Sequence, residues 1–285
     1  MPRKSSRDLY CLIATMPKSG TWYSFFFFEY LNLYLTGKGE VRKRPTTYRY
    51  DGLGITKAHA HLMCPGFLES YLGDSRAAWD ALQFRTPGIN SGFGPLAIEQ
   101  GHRFDPQQNP NVRIAYLYRN PLDQAVSHYR HLFWLEKQIQ PAAFRAGLND
   151  WMRKDAIESY LKQYFSYYMM TQSHPSNVIR ICYEDLFRTP AAVFKRLAQF
   201  FDFKIQTDDE LGALLRALWA TTPEAMRMLE RKQGHAFGDS KTKNDSHMHG
   251  GEVGKWRRWL DDSTVQYAQR RFEALGLSLQ DFVTT

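Results

Sequence analysis

The chain has 285 residues, 43% of them hydrophobic, and 37 basic against 29 acidic side chains, a formal net charge of +8. That is ample apolar material for a large core, and with no linker-like block and no internal repeat it predicts one domain over residues 1–285. The polar start (Met1 to Asp8), and apolar runs far shorter than a membrane span, predict no secretory leader, no membrane span and a cytoplasmic location.

Lysines and arginines are scattered along the chain, with mild clusters only at Arg42-Lys43-Arg44 and Arg257-Arg258. Such scatter argues against a polynucleotide groove and for a solvated basic surface or an anionic cosubstrate. Cys11, Cys64 and Cys182 are odd in number and lack metal-ligand spacing, so they are expected as buried thiols in a reducing compartment.

In chain order, Tyr10 to Thr15 is a short apolar run, expected as a central parallel strand covered on both faces. Pro17 and Gly20 shape a turn carrying Lys18, and Ser19 or Thr21 is placed to cap the aromatic-rich helix running from Trp22 to Leu35. Strand, turn and helix aim backbone N–H groups and one cation at a single spot, an arrangement that holds phosphate. The order differs from a Walker A loop, in which the lysine follows the last glycine and a magnesium-binding hydroxyl follows the lysine.

Val112 to Tyr118 reads as a second strand, broken at Asn120-Pro121 and followed by a helix from Leu122. Arg119 falls at the carboxyl end of that strand, where open α/β sheets bind ligands, and Ser127 follows eight residues on, about two helical turns. A guanidinium and a hydroxyl so spaced suit a phosphate monoester; the plainer alternative is a charge pair of Arg119 with Asp123.

The run Pro17-Lys-Ser-Gly-Thr21 resembles the 5′-phosphosulfate loop of sulfotransferases that use 3′-phosphoadenosine 5′-phosphosulfate (PAPS), and Arg119 with Ser127 resembles that family's 3′-phosphate motif. Three further segments fall in the family's order. Val178 to Leu186 resembles the strand ending in Y-E-D, whose tyrosine (Tyr183 here) lies near the nucleotide. Thr221-Thr-Pro-Glu-Ala-Met226 resembles the segment that closes over adenine, and Gly250 to Trp259 resembles the R-K-G-x-x-G-x-W loop that clasps the 3′-phosphate. The likeness spans Tyr10 to Trp259. It implies an α/β fold like that of P-loop nucleotide hydrolases, with a central parallel sheet flanked by helices. It also implies PAPS as cosubstrate, adenosine 3′,5′-bisphosphate (PAP) as product, and no required metal.

Two departures bear on the site. His249-Gly250-Gly251 replaces the R-K-G triplet, leaving the backbone of Gly250 and Gly251, and one of Lys241, Lys243, Lys255 or Arg257, to replace the lost charge. The ring over adenine is Tyr23 by position or Trp22 by residue type.

Sulfuryl transfer resembles phosphoryl transfer, an in-line displacement governed by positioning and electrostatics. Lys18 would neutralise the leaving phosphate oxygen, and a histidine would take the acceptor's proton. Two segments compete for that role. Gly94 to His102 is strand-like and close to the family's spacing before Arg119, whereas Ile55-Thr-Lys-Ala-His59 has the family's K-T-H wording but requires a long insertion between adjacent strands. The spacing favours His102, with His59 bordering the acceptor. The aromatic content predicts a small, ring-containing hydroxyl or amine acceptor, shaped by residues 37–95 and 132–172. The competing classes are a P-loop-like kinase or NTPase and a non-catalytic anion- or nucleic-acid-binding module; pairing into a homodimer is compatible with the sequence.

Overall fold

The computed structural model describes residues 10–16, 18–37, 47–50, 53–59, 112–131, 140–233 and 252–282. Strands β1 (Tyr10–Thr15), β2 (Thr47–Tyr50), β3 (Leu53–His59), β4 (Val112–Tyr118) and β5 (Val178–Cys182) form one sheet in the order β2-β3-β1-β4-β5. β3, β1, β4 and β5 are parallel, and β2 pairs antiparallel with β3 at one edge. The two strands expected at Tyr10–Thr15 and Val112–Tyr118 have those bounds.

Side chains on these strands alternate between two cores, as the two-residue period of a strand requires. Ala14, Ile114, Tyr116 and Val178 face one side, packed with helices α2 (Pro121–Tyr129), α3 (Pro141–Trp151), α4 (Ile157–Ser173) and the C-terminal α9 (Asp262–Glu273). Cys11, Ile13, Ala115, Leu117, Ile179 and Ile181 face the other, against α1 (Thr21–Thr36), α5 (Asp185–Arg188), α6 (Pro190–Phe200) and α7 (Asp208–Ala220). Because both faces are covered, the strands read as continuous apolar runs rather than as alternating ones.

Helix α1 is apolar nearly all round, which requires burial on more than one side. Phe25, Phe27 and Phe28 turn to the sheet side core, while Phe26 packs with Met226 of α8 (Pro223–Gln233). On the opposite face Tyr160 and Tyr164 of α4 and Phe272 of α9 surround Phe282. The tyrosine-rich segment from Tyr160 to Tyr168 is thus largely core: Tyr160, Tyr164 and Tyr167 are buried. Cys11 and Cys182 are buried free thiols; Cys64 lies outside the described residues.

The sheet order bears on the two candidate histidines. β1 stands between β3 and β4, so the strand ending at His59 and the strand preceding Arg119 are not neighbours. The segment ending at His102 lies outside the described residues.

Candidate active site

The turn after β1 is held chiefly by backbone hydrogen bonds. Met16 N–H donates to Leu117 O on β4 at 2.8 Å, and Ser19 N–H reaches back to Met16 O at 3.1 Å. Lys18 and Gly20 both take left-handed backbone conformations, φ 67° and 86°. Glycine adopts that region freely, whereas a lysine there is uncommon and marks a position held by its surroundings. A methyl group on Gly20 would lie 3.1 Å from both Tyr183 Cδ2 and Leu186 Cδ1, so this close approach also requires glycine.

Helix α1 starts at Gly20 without a side-chain cap, contrary to the expectation for Ser19 or Thr21. The Thr21 hydroxyl instead shares a 2.6 Å hydrogen bond with that of Thr15. Ser19 is fully buried and its Oγ has no hydrogen-bond partner among the described residues. The Lys18 ammonium is half-buried and makes no hydrogen bond or ion pair among the described residues. Burial pulls its pKa down to about 8, because desolvation disfavours the charged form. An unsatisfied buried hydroxyl and an uncompensated ammonium at a helix start fit a phosphate-bearing ligand. Pro17 lies outside the described residues.

Arg119 follows β4 and joins this turn to the C-terminal loop. Its Nη1 donates to Lys18 O at 3.3 Å and its Nη2 to Glu252 O at 2.9 Å. The guanidinium lies over the Tyr183 ring, 4.3 Å from the centroid, while the Tyr160 hydroxyl donates to Arg119 O at 2.6 Å. Arg119 Nε makes no hydrogen bond among the described residues and stands 3.9 Å from Glu184 Oε1. Glu184 in turn accepts from Asn120 N–H at 3.1 Å and from the Cys182 thiol at 3.0 Å. Burial pushes the Glu184 carboxyl up, against the pull of Cys182 and Arg119.

Asn120 caps α2, its Oδ1 accepting from Leu122 and Asp123 N–H. Asp123, expected as an alternative partner for Arg119, is fully buried and accepts from Gly254 N–H at 2.6 Å and Trp256 N–H at 3.1 Å. Its carboxylate therefore pins the C-terminal loop against the carboxyl end of β4. Ser127 is half-buried farther along α2. Lys255, between the two pinned amides, is half-buried and opens the 3₁₀ turn Lys255–Arg258.

Other expectations are redistributed. Tyr23 is a core residue, stacked on Phe187 at 5.4 Å and edge-on to Phe194 at 5.2 Å. Trp22 is half-buried, packed on Phe26 at 5.9 Å beside Met226, so the two aromatic alternatives face different environments. Thr221 is fully buried and donates to Ala217 O at 2.8 Å, closing α7. The backbone of His59 pairs with Thr15, at the end of the strand that leads into the Lys18 turn. Gly250, Gly251, Lys241 and Lys243 lie outside the described residues. Sequence reasoning missed two contributors: Glu184, although it stands within the Y-E-D wording, and the loop-holding role of Asp123, whose partners lie 131 and 133 positions away.

A family model described as a sulfotransferase domain matches residues 100–281. The chain belongs to the sulfotransferase family. It is an enzyme of the PAPS-dependent type that its motifs resemble. The curated cytosolic sulfotransferase 12 of Arabidopsis thaliana is 23% identical over 284 residues, covering 95% of this chain and 78% of the relative, and so takes in the Lys18 turn that precedes the family match. Flavonol 4′-sulfotransferase of Flaveria chlorifolia is 22% identical, covering 67% of this chain and 63% of its own length. Among solved structures, mouse sulfotransferase SULT7A1, complexed with PAP, superposes with a TM-score of 0.54 at 16% identity over 95% of this chain and 84% of that one. The sulfotransferase shares the α/β fold of that structure. Among its described residues no helix is long and apolar enough to cross a membrane.

Proposed function

We propose that this sulfotransferase transfers the sulfuryl group of PAPS to a hydroxyl or amine of a small, ring-containing acceptor by in-line displacement, within one domain, with His59 as the base. The observation that carries the reading is the Lys18 turn: an ammonium and the buried Ser19 hydroxyl, both without partners among the described residues, lie between β1 and α1 while Arg119 closes the turn from β4.

When bound, PAPS supplies a sulfuryl group already attached to a good leaving phosphate. Around its 5′ end, Lys18 places positive charge where negative charge grows, and Ser19, Gly20 and Thr21 contribute a hydroxyl and helix-start N–H groups. Beyond its two bonds to loop carbonyls, Arg119 has two Nη N–H groups left for the 3′-phosphate, its Nε standing beside Glu184, and Ser127 is on the same helix as Asp123. Trp22 and Tyr183 border the adenine. No metal is needed in this scheme, since the cations are supplied by side chains.

His59 is preferred over His102 because β3 runs parallel to β1 and ends level with Thr15, at the same sheet edge as Lys18. A base there would take the acceptor's proton on the side of the sulfur opposite the leaving phosphate oxygen that Lys18 meets. The apolar, ring-containing acceptor is supported by the aromatic content and by relatives named for flavonols, and a cytoplasmic location by relatives named cytosolic.

The test is incubation with PAPS and a panel of phenols, ring alcohols and amines, read by mass spectrometry for one added sulfonate, beside calorimetry with PAP and ATP. A sulfonated product and preference for PAP are expected; tighter binding of ATP with no product would point to a kinase or NTPase instead. His59→Ala should lose about 10²–10⁴-fold in turnover while keeping its PAP affinity. An active His59→Ala beside an inactive His102→Ala would move the base to His102.

A further inference from the structure

We propose that Lys255 supplies the cation that reads the 3′-phosphate, in place of the arginine and lysine missing from His249-Gly250-Gly251. This rests on the reading of the site as a PAPS site.

The first support is the way the loop is fixed. Asp123 accepts from the amides of Gly254 and Trp256, the two residues flanking Lys255, and Arg119 donates to the carbonyl of Glu252. Three hydrogen bonds to a five-residue span leave its backbone little freedom, so the position of Lys255 beside the end of β4 is built in. Gly254 takes φ 81°, which a residue with a side chain rarely adopts, and turns the chain there.

The second is the distribution of charge. Glu252 is paired with Arg258 at 2.8 Å, and the Arg257 guanidinium lies over the ring of its neighbour Trp256, 4.7 Å from the centroid. Arg119 is buried to 3% exposure with two donors committed to carbonyls. Lys255, by contrast, makes no hydrogen bond or ion pair among the described residues. Its ammonium interacts with Arg119 and Arg130, which repel it, and with Asp123 and Glu252, which attract it. Asp123 is already occupied by two amides and Glu252 by Arg258. Two like charges held near one half-buried ammonium, with the nearby carboxylates engaged elsewhere, describe a site that gains when a dianion enters. Burial chiefly, and then Arg119, pull the Lys255 pKa down to about 8, a cost that a bound anion would offset.

The chemistry recognised is a phosphate monoester on a nucleoside that carries a second anionic group at its 5′ end. Lys255 supplies a point charge to it, where Arg119 supplies a planar fork from below.

The test compares two ligands in four proteins by calorimetry: PAP, and adenosine 5′-phosphosulfate, which lacks the 3′-phosphate, with wild type, Lys255→Ala, Lys255→Arg and Arg119→Ala. Lys255→Ala should weaken PAP by about 10- to 100-fold and leave adenosine 5′-phosphosulfate within about twofold, the range for one charge-assisted bond. Lys255→Arg should recover most of the loss and remove the decline in PAP affinity between pH 7.5 and 9 that the lysine imposes. Selective weakening by Arg119→Ala with none from Lys255→Ala would overturn the assignment while leaving the PAPS reading intact. No selective effect from either variant would overturn the PAPS reading itself. Equal weakening of both ligands by Lys255→Ala would place the lysine elsewhere in the site.

Discussion

The turn after β1 and the loop before α9 both end at Arg119, but they are held in place by different means. The first is held mainly by backbone bonds, Ser19 N–H to Met16 O and Met16 N–H to Leu117 O, with Lys18 and Gly20 left-handed, Gly20 pressed on Tyr183 and Leu186, and one 3.3 Å bond from Arg119 to Lys18 O. The second, from Glu252 to Trp256, is held by side chains of another part of the chain, Asp123 and Arg119. A turn held by backbone bonds keeps its shape whatever the ligand does, which suits the group that must meet the reacting oxygen. A loop held by two distant side chains can be lost as a unit, which suits a contact governing affinity.

That contrast is sharpened most by Lys18→Ala. The turn's geometry is set by backbone bonds, so the variant should fold normally and lose only a few-fold in PAP affinity, the share of binding that the ammonium contributes. Its turnover should fall by about 10²–10³-fold, the usual cost of one charge-stabilising donor. Steady-state kinetics beside calorimetry would show the split; a loss confined to affinity would place Lys18 with the loop that binds rather than the turn that reacts.

Next in size is Asp123→Ala, which strikes the second loop alone. Two backbone N–H groups lose their acceptor, and the loop escapes the cost of leaving them buried by detaching into water. PAP affinity should fall about 10- to 100-fold, while hydrogen exchange at Gly254 and Trp256 should quicken with the rest of the protein unchanged. Unaltered exchange at those two amides would mean that the loop, like the first turn, is held mainly by its backbone.

Gly20→Ala attacks the first turn through its backbone. Left-handed φ with a side chain costs roughly 1–2 kcal/mol, and the added methyl meets Tyr183 and Leu186 at 3.1 Å. A melting temperature lower by about 2–8 °C is expected. An unshifted midpoint would show that the turn can relax at little cost.

The same contrast explains how much could be read before any coordinates. β1, its turn and α1 follow from contacts between near neighbours in sequence, and the apolar run, Lys18 and Gly20 announce them. The bounds of β4 and the place of Arg119 at its end were legible for the same reason. The role of Asp123 was not, because its partners lie beyond 130 positions away and nothing in its own helix distinguishes it from an ordinary first-turn carboxylate. The place of β1 between β3 and β4 was illegible too, a matter of sheet order that spacing along the chain does not encode. Tyr23 and Trp22 are adjacent and both aromatic; only the packing of α1 decides that one enters the core.

The smallest effect sets stability and function in opposite directions. In the folded protein the Lys18 pKa is about 8, against its ordinary value of 10.5, with burial as the cause. The unfolded chain thus holds a proton on Lys18 between about pH 8 and 10.5 that the folded protein has released, and stability rises with pH across that window as the cost of burying the charge is relieved. Below pH 8 the cost is present in full, so Lys18→Met should melt a few degrees above wild type at pH 7, and the gap should narrow as the pH is raised towards 10. Turnover of the wild type should move the other way, declining by up to tenfold per unit on the alkaline side of pH 8 as the ammonium is lost. A bound phosphate moves that decline upward, since an anion beside the lysine favours its charged form, so kcat should hold to higher pH than kcat/KM. Melting curves and rate profiles at matched pH would sink the idea if wild type and Lys18→Met kept a constant gap, because the turn would then hold its lysine at no cost.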